Sequence, residues 1–292
     1  MRTTAAFAAA AWFAFPVIGA GAEAPAVVTL VENQAALLRA SGRFVLAEGS
    51  RLQAGDVVEL SEKGLLQIGF ADGARLSLGP RARFHIAVLT PAGGAQAAGK
   101  PVLSDFYLLQ GWSKLALARP AAPMRITTPL FGLAAEEAIV VLQAQGAEAA
   151  LFVERGEVRL TEGFVKATPA SPVIVRAGQF YSRKGGENGA IHARPGAAFL
   201  SGMPRPYQDN LPERLALFKD REVAPRRSGE LAYADVEPFL KGPPELRRPL
   251  MQRLRARARD PDFRKALIAN MPSHPEWDRV LFPEKYKPKP SP

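Results

Sequence analysis

The chain has 292 residues, 47% hydrophobic and 23% charged, which is enough apolar material for one good-sized core or a domain with a smaller appendage. It contains no cysteine, which excludes a disulfide framework, a cysteine-based zinc site and a thiol nucleophile. A formal net charge of +10 favours either an anionic partner or solubility alone.

At the N-terminus, Arg2 is followed by an apolar run over residues 5–18, and Ala20-Gly21-Ala22 places small residues where a signal peptidase reads them. A signal peptide over 1–22, cleaved after Ala22, is therefore expected, and with it a periplasmic or secreted protein. The rival, an uncleaved anchor, has an apolar run short of the about 20 residues that a spanning helix needs. Residues 23–40 read as a lead-in. Short apolar runs then alternate with Gly, Pro and Asp turns, the rhythm of an all-β domain over 41–182. Gly55-Asp56 turns into a strand at Val57. Leu66, Ile68 and Phe70 alternate with small or polar residues, Asp72-Gly73 supplies a tight turn, and Leu76 and Leu78 resume the alternation. That pattern places Arg75 and Ser77 on a solvated face.

Residues 91–101 are Gly- and Ala-rich and read as a loop. Residues 102–118 predict two strands with Gly111 turning between them, and 124–128 a strand stopped by Pro129. Residues 136–143 fit strand or helix, with β-branched Ile139, Val140 and Val141 favouring strand. Residues 151–160 predict a hairpin turning near Gly156, and 173–181 a last strand pair around Gly178. Residues 183–230 read as a linker with a short helix at 211–218. In 231–282, Leu246, Leu250, Leu254, Phe263, Leu267 and Met271 recur at helical spacing, with arginines on the other faces. Asp260 is expected to cap a second helix whose first residue is Pro261. Residues 283–292 are Lys- and Pro-rich and read as an extended tail.

The order of these β motifs resembles the FecR domain. The matching pieces are Leu52-x-x-Gly55-Asp56-Val57, Ile68-x-Phe70-x-Asp72-Gly73-x-x-Leu76-x-Leu78-x-Pro80, Leu109-x-Gly111, Ile126-Thr127-Thr128-Pro129, Val153-Glu154-Arg155-Gly156-Glu157-Val158 and Val175-x-Ala177-Gly178-Gln179. The resemblance implies a mainly β fold, either a FecR-like β-solenoid or a rolled β-sheet, here followed by a small C-terminal α-helical segment. It also implies a protein partner in the cell envelope. After Pro129 the family usually carries a glycine–threonine pair, where this chain has Leu130-Phe131-Gly132-Leu133-Ala134-Ala135. Sensor members carry a cytoplasmic anti-sigma segment and a membrane helix before the domain. With a signal sequence in that place, direct sigma-factor control within this polypeptide is not expected.

No constellation for catalysis stands out. His85, His192 and His274 are far apart in sequence and form no zinc-binding pattern, and no nucleophile elbow or phosphate-cradling glycine loop appears. No enzyme, metal or cofactor is expected, nor a nucleic-acid partner. Gly55, Asp56, Asp72, Gly73, Pro129, Gly156 and Gly178 are read as turn residues. Arg75, Arg81 and Arg83 are candidates for a basic patch at the main hairpin, although a solvated face explains them equally well. Arg247, Arg248, Arg253, Arg255, Arg257 and Arg259 are candidates for an anionic membrane or cell-wall surface. A leucine stripe of this kind more often packs on its own protein. The expected function is a non-catalytic envelope scaffold, for protein binding, signalling or structure. One alternative is a peripheral binder using the basic helices; the other is a polysaccharide-acting enzyme using acids such as Glu154 and Glu157.

Overall fold

A computed structural model describes residues 26–90, 103–117, 123–162, 172–209 and 211–286. The expected signal peptide, the loop at 91–101 and the tail beyond 286 lie outside the described residues. The first strands are β1 (Ala26–Glu32), β2 (Ala35–Arg39), β3 (Gly42–Val45), β4 (Arg51–Leu52), β5 (Val57–Leu60), β6 (Leu65–Phe70), β7 (Arg75–Leu78), β8 (Arg83–Val88) and the long β9 (Ser104–Ala116). After them come β10 (Met124–Thr127), β11 (Phe131–Ala135), β12 (Ala138–Gln145), the long β13 (Glu148–Glu162), β14 (Val173–Arg176), β15 (Phe180–Lys184) and β16 (Ala190–His192). Two short helices follow, α1 (Ala197–Gly202) and α2 (Arg205–Gln208), then β17 (Arg226–Glu230). The chain ends in α3 (Tyr233–Leu240), α4 (Pro244–Leu254), α5 (Pro261–Ala269) and α6 (Asp278–Leu281).

The strands form two layers. Sheet A runs β4–β1–β6–β7–β9–β12–β13–β15–β16. Sheet B runs β17–β3–β2–β5–β8–β9–β10–β11–β13–β14. Strands β9 and β13 belong to both, because each bends at one glycine. Gly111 has φ +97°, and a β-carbon there would sit 2.5 Å from the Ala82 Cα. Gly156 has φ +77°, and its β-carbon would sit 2.2 Å from the Glu137 carbonyl oxygen. Only glycine allows both that φ and that approach. The two bends close β9, β12, β13, β11 and β10 into a five-stranded ring. Inside lies one continuous core, from Val28, Leu37 and Ile68 through Phe84 and Phe106 to Phe131, Leu151, Leu160 and Tyr181.

Several expectations change. The rolled-sheet form stands and the solenoid does not, since the strand pairings among the described residues are antiparallel except β9 with β10. Stacked solenoid coils would pair in parallel. Gly111 and Gly156 do not end strands; each is a corner within one. The hairpin turn before β13 falls at Gly146, φ +58°. The lead-in contains β1, which pairs with β6, and β2, which pairs with β3 and β5. The segment 183–230 is no free linker. It supplies the end of β15, then β16, α1, α2 and β17, and its expected helix shortens to a 3₁₀ turn at Leu215–Phe218. Pro283–Tyr286 is likewise a 3₁₀ turn, where an extended tail was expected.

Each sheet is covered over part of its outer face. Over sheet A, Trp112 packs on Phe199 of α1 with ring centroids 5.0 Å apart, and Phe180 on the same ring at 4.9 Å. Tyr207 of α2 is wholly buried; its hydroxyl donates to the Ser77 carbonyl at 3.0 Å, and its own carbonyl accepts from Lys114 Nζ at 2.5 Å. Over sheet B, Leu246, Leu250 and Leu254 of α4 join Val236, Phe239, Phe263 and Trp277 in a cluster that also takes Leu38, Val57 and Tyr107 from the strands. The leucine stripe thus packs on its own protein. Asp260 caps α5 by accepting from the Phe263 N–H at 3.0 Å, with Pro261 at the first helical position.

Candidate functional site

The register of sheet B places its outward side chains in two parallel rows. One row runs Arg43, Leu38, Val57, His85 and Tyr107, directly opposite one another across β3, β2, β5, β8 and β9. Helices α3 to α5 lie over this row. The other runs Arg226, Val45, Ala36, Glu59 and Arg83, across β17, β3, β2, β5 and β8. Among the described residues, no helix covers the second row. It lines a cleft of about 440 Å³, with Arg43 at the helix side.

Charge in the cleft is unevenly matched. Arg83 Nε lies 3.3 Å from Glu59, and Arg43 lies 3.9 Å from Glu59 while also pairing with Asp235 of α3. Arg226 is exposed and has no ion-pair partner among the described residues. Burial pushes the Glu59 carboxyl above its usual range, and the Arg83 and Arg43 guanidiniums pull against that. Between the charges, Val45 is 37% exposed and Ala36 leaves a low point in the row. The site therefore has cations at both ends, a small apolar stretch, and one desolvated acid.

The covered row holds a second feature. His85 is 2% exposed and Tyr107 5%, and neither the His85 Nε2 nor the Tyr107 hydroxyl has a hydrogen-bond partner among the described residues. Burial, and then the charge of Arg253, push His85 down to about 4, against a smaller opposing pull from Asp105. A further hollow of about 920 Å³ lies beside the Gly156 corner, where Arg155, Arg159 and Arg176 alternate with Glu136, Glu137 and Glu157. There the two signs offset each other. Among the described residues, no group of three or more His, Asp or Glu is placed to hold a metal ion.

The arginines singled out by sequence do not form one patch. Arg75 lies on the covered face of sheet A and donates to the Leu211 carbonyl at 3.5 Å, while its neighbour Ser77 is 5% exposed, so that face is not solvated. Arg81 sits in a turn at φ +56°, paired with Glu62 at 2.7 Å. Arg83 alone of the three reaches the cleft. Arg247 is a structural tie, gripping Glu276 at 2.9–3.2 Å and donating to the Gly242 and Ser273 carbonyls. Arg257 bonds the Leu231 carbonyl at 2.9 Å and stands over the Phe263 ring. Arg248, Arg253, Arg255 and Arg259 are exposed.

Gly55, Asp72, Gly73, Pro129 and Gly178 lie in turns, whereas Gly156 is the strand corner described above. Gly55, Gly73 and Gly178 have φ of +87°, +81° and +82°. The Asp72 side chain accepts from the Ala74 N–H at 3.1 Å, and at the Pro129 bend the Thr128 hydroxyl bridges the backbone of Phe131. Asp56 does more than turn the chain. It is wholly buried, accepts two hydrogen bonds from Arg39 at 2.8 and 2.6 Å, and takes another from the Gln53 N–H. No local sequence signal links it to Arg39, because the pair forms only once β2 and β5 lie side by side.

No protein-family model and no curated protein matches the chain. Among solved structures, it is similar to two crystal structures of a putative anti-sigma factor from Parabacteroides distasonis ATCC 8503. Identity is 12% in both, with TM-scores of 0.38 and 0.39, over 50% of this chain. The match spans 64% and 65% of those chains, less than two thirds of their length. A likeness of this extent assigns no partner and no activity.

Proposed function

We propose that this chain is a non-catalytic scaffold of the bacterial cell envelope that binds a protein partner on the open row of sheet B. The observation that carries the reading is that α3 to α5 cover one row of the sheet and leave the neighbouring row bare, with Val45 and Ala36 between arginines. A strand face with apolar centre and charged rim is the usual anatomy of a protein-binding patch. Export is inferred from the signal sequence expected at 1–22. The carboxylates considered for polysaccharide chemistry are otherwise engaged or solvated: Glu154 binds Lys114 at 2.9 Å, and Glu157 faces solvent 3.9 Å from Arg176.

The test is affinity capture from envelope extract with the mature chain from Glu23, beside an Ala36→Trp variant that fills the low point of the row. Recovery of an envelope protein by the wild type and its loss with the variant supports the reading. Equal recovery by both places the interface elsewhere. A second reading, contact with anionic membrane or wall polymer, draws on exposed Arg248, Arg253, Arg255 and Arg259. Its leucine face is buried against sheet B, so insertion is not available and only charge remains.

A further inference from the structure

The open row also carries information about what would fit it. Its five positions lie on adjacent strands, so Arg226 and Arg83 stand about 19 Å apart at the backbone, given the spacing of neighbouring strands. A ligand must therefore bridge two separated cations. It must also avoid Glu59, which sits next to Arg83 within the row and is already shared between Arg83 and Arg43. A polyanion with charge at every step, such as a nucleic acid, would set negative charge against that carboxylate. A chain with acids only near its ends brings a single carboxylate to that side, at Arg83, and none along the rest of the row. Between the ends, Val45 and Ala36 offer room for a small apolar side chain and nothing for a charge.

Taking the protein-binding reading as its basis, we propose that the row is a docking groove for an extended acidic segment of the partner. Carboxylates near its two ends meet Arg226 and Arg83, and small apolar residues lie over Val45 and Ala36. The segment crosses the strands. At the rise of extended chain, about six residues separate the two acids. Arg226 supplies the unspent charge, and its place on the exposed edge strand β17 leaves its guanidinium free to turn toward an incoming carboxylate. Bidentate guanidinium–carboxylate pairing gives such a site direction as well as strength.

The test uses the full mature chain and a fluorescein-labelled decapeptide with aspartates six residues apart and alanine and valine between them, followed by anisotropy. The controls are its asparagine isostere, a single-stranded DNA oligonucleotide and phosphatidylglycerol vesicles. The acidic peptide is expected to bind about tenfold tighter than the isostere, weakening with added salt. Arg226→Glu is expected to weaken it by about tenfold or more, whereas Arg248→Glu, the same charge change on α4, leaves it within about twofold. Arg226→Gln, milder toward the fold, should fall between. Equal binding of peptide and isostere overturns the proposal, as do equal effects of the 226 and 248 variants, or tighter binding of oligonucleotide or vesicles through Arg226. If Ala36→Trp abolishes capture of a protein while acid and isostere bind alike, the acidic-segment inference falls and the protein-binding reading stands.

Discussion

The guanidinium of Arg253 lies against the α-carbon of Gly55, so close that a β-carbon there would sit 1.8 Å from the Arg253 Cζ. One residue belongs to the turn that starts β5, the other to the last turn of α4. Their contact is part of what seats the helical layer on sheet B. Gly55 also has φ +87°, where an L side chain is strained. Gly55→Ala is expected to cost about 1–2 kcal/mol from backbone strain, plus a share from displacing Arg253. Chemical denaturation of Gly55→Ala, Arg253→Ala and the double variant separates the two. The double variant should be more stable than the sum of the single losses implies.

The two corner glycines make a sharper comparison. At Gly111 and Gly156 an added β-carbon meets backbone atoms of Ala82 and Glu137, which cannot swing aside. At Gly73, also at positive φ, it meets nothing within 4 Å. Gly73→Ala should therefore cost about 1 kcal/mol, while alanine at 111 or 156 costs about 3 kcal/mol or more. Thermal unfolding of the three variants checks the order. Equal losses at all three would mean that φ alone governs them.

The strap over sheet A depends on Tyr207. Removing its hydroxyl in Tyr207→Phe deletes the hydrogen bonds it donates to the Ser77 and Trp112 carbonyls, at 3.0 and 3.3 Å, while both carbonyls stay in the β7–β9 ladder. A loss of about 1 kcal/mol is expected. The informative readout is local: hydrogen exchange should quicken across α1 and α2 and leave α4 and α5 unchanged.

Arg247 and Arg248 are neighbours in sequence and both approach Glu276, yet they should behave differently. Arg247 is 16% exposed and ties three segments, whereas Arg248 is 67% exposed and lies 3.7 Å from the carboxylate. Arg247→Met is expected to cost about 2 kcal/mol and Arg248→Met less than about 0.5. Urea titration distinguishes them.

His85 gives the protein a pH dependence of known sign. Its folded-state pKa is depressed from 6.5 to about 4 by burial and by Arg253. Above pH 6.5 the ring is neutral whether folded or unfolded, so it confers no pH dependence. Between there and pH 4 only the unfolded chain takes up the proton, and stability falls as pH drops, by on the order of 3 kcal/mol in all. His274, also buried and held below its usual range, acts in the same direction. His85→Phe should flatten the loss between pH 7.5 and 5 relative to the wild type. An unchanged slope would show that His85 is accessible beneath the helices.

Much of the strand content was legible because alternation and turn chemistry are local. Leu66, Ile68 and Phe70 face one way in any pairing, and Asp72-Gly73 turns the chain without help from elsewhere. The helix cap at Asp260-Pro261 was legible for the same reason. The candidate cleft was not. Of its row only Arg83 stands out in the sequence, and Arg226 lies in Arg226-Arg227-Ser228-Gly229-Glu230, a stretch with none of the β-branched or aromatic residues that mark a strand. It is extended because β3 offers it an edge, a fact held in another part of the chain.

By itself, then, the sequence determined a mainly β body, its principal turns, and a C-terminal amphipathic helical segment with its leucine face buried somewhere. Those follow from side-chain period and backbone preference over a few residues. Only the tertiary structure decided that Gly111 and Gly156 bend strands instead of ending them, that 183–230 wraps the body, and which arginines are tied and which are exposed. A glycine at positive φ serves a turn or a corner equally well, and what lies against it comes from a distant strand. An arginine likewise has no partner until register brings one within reach.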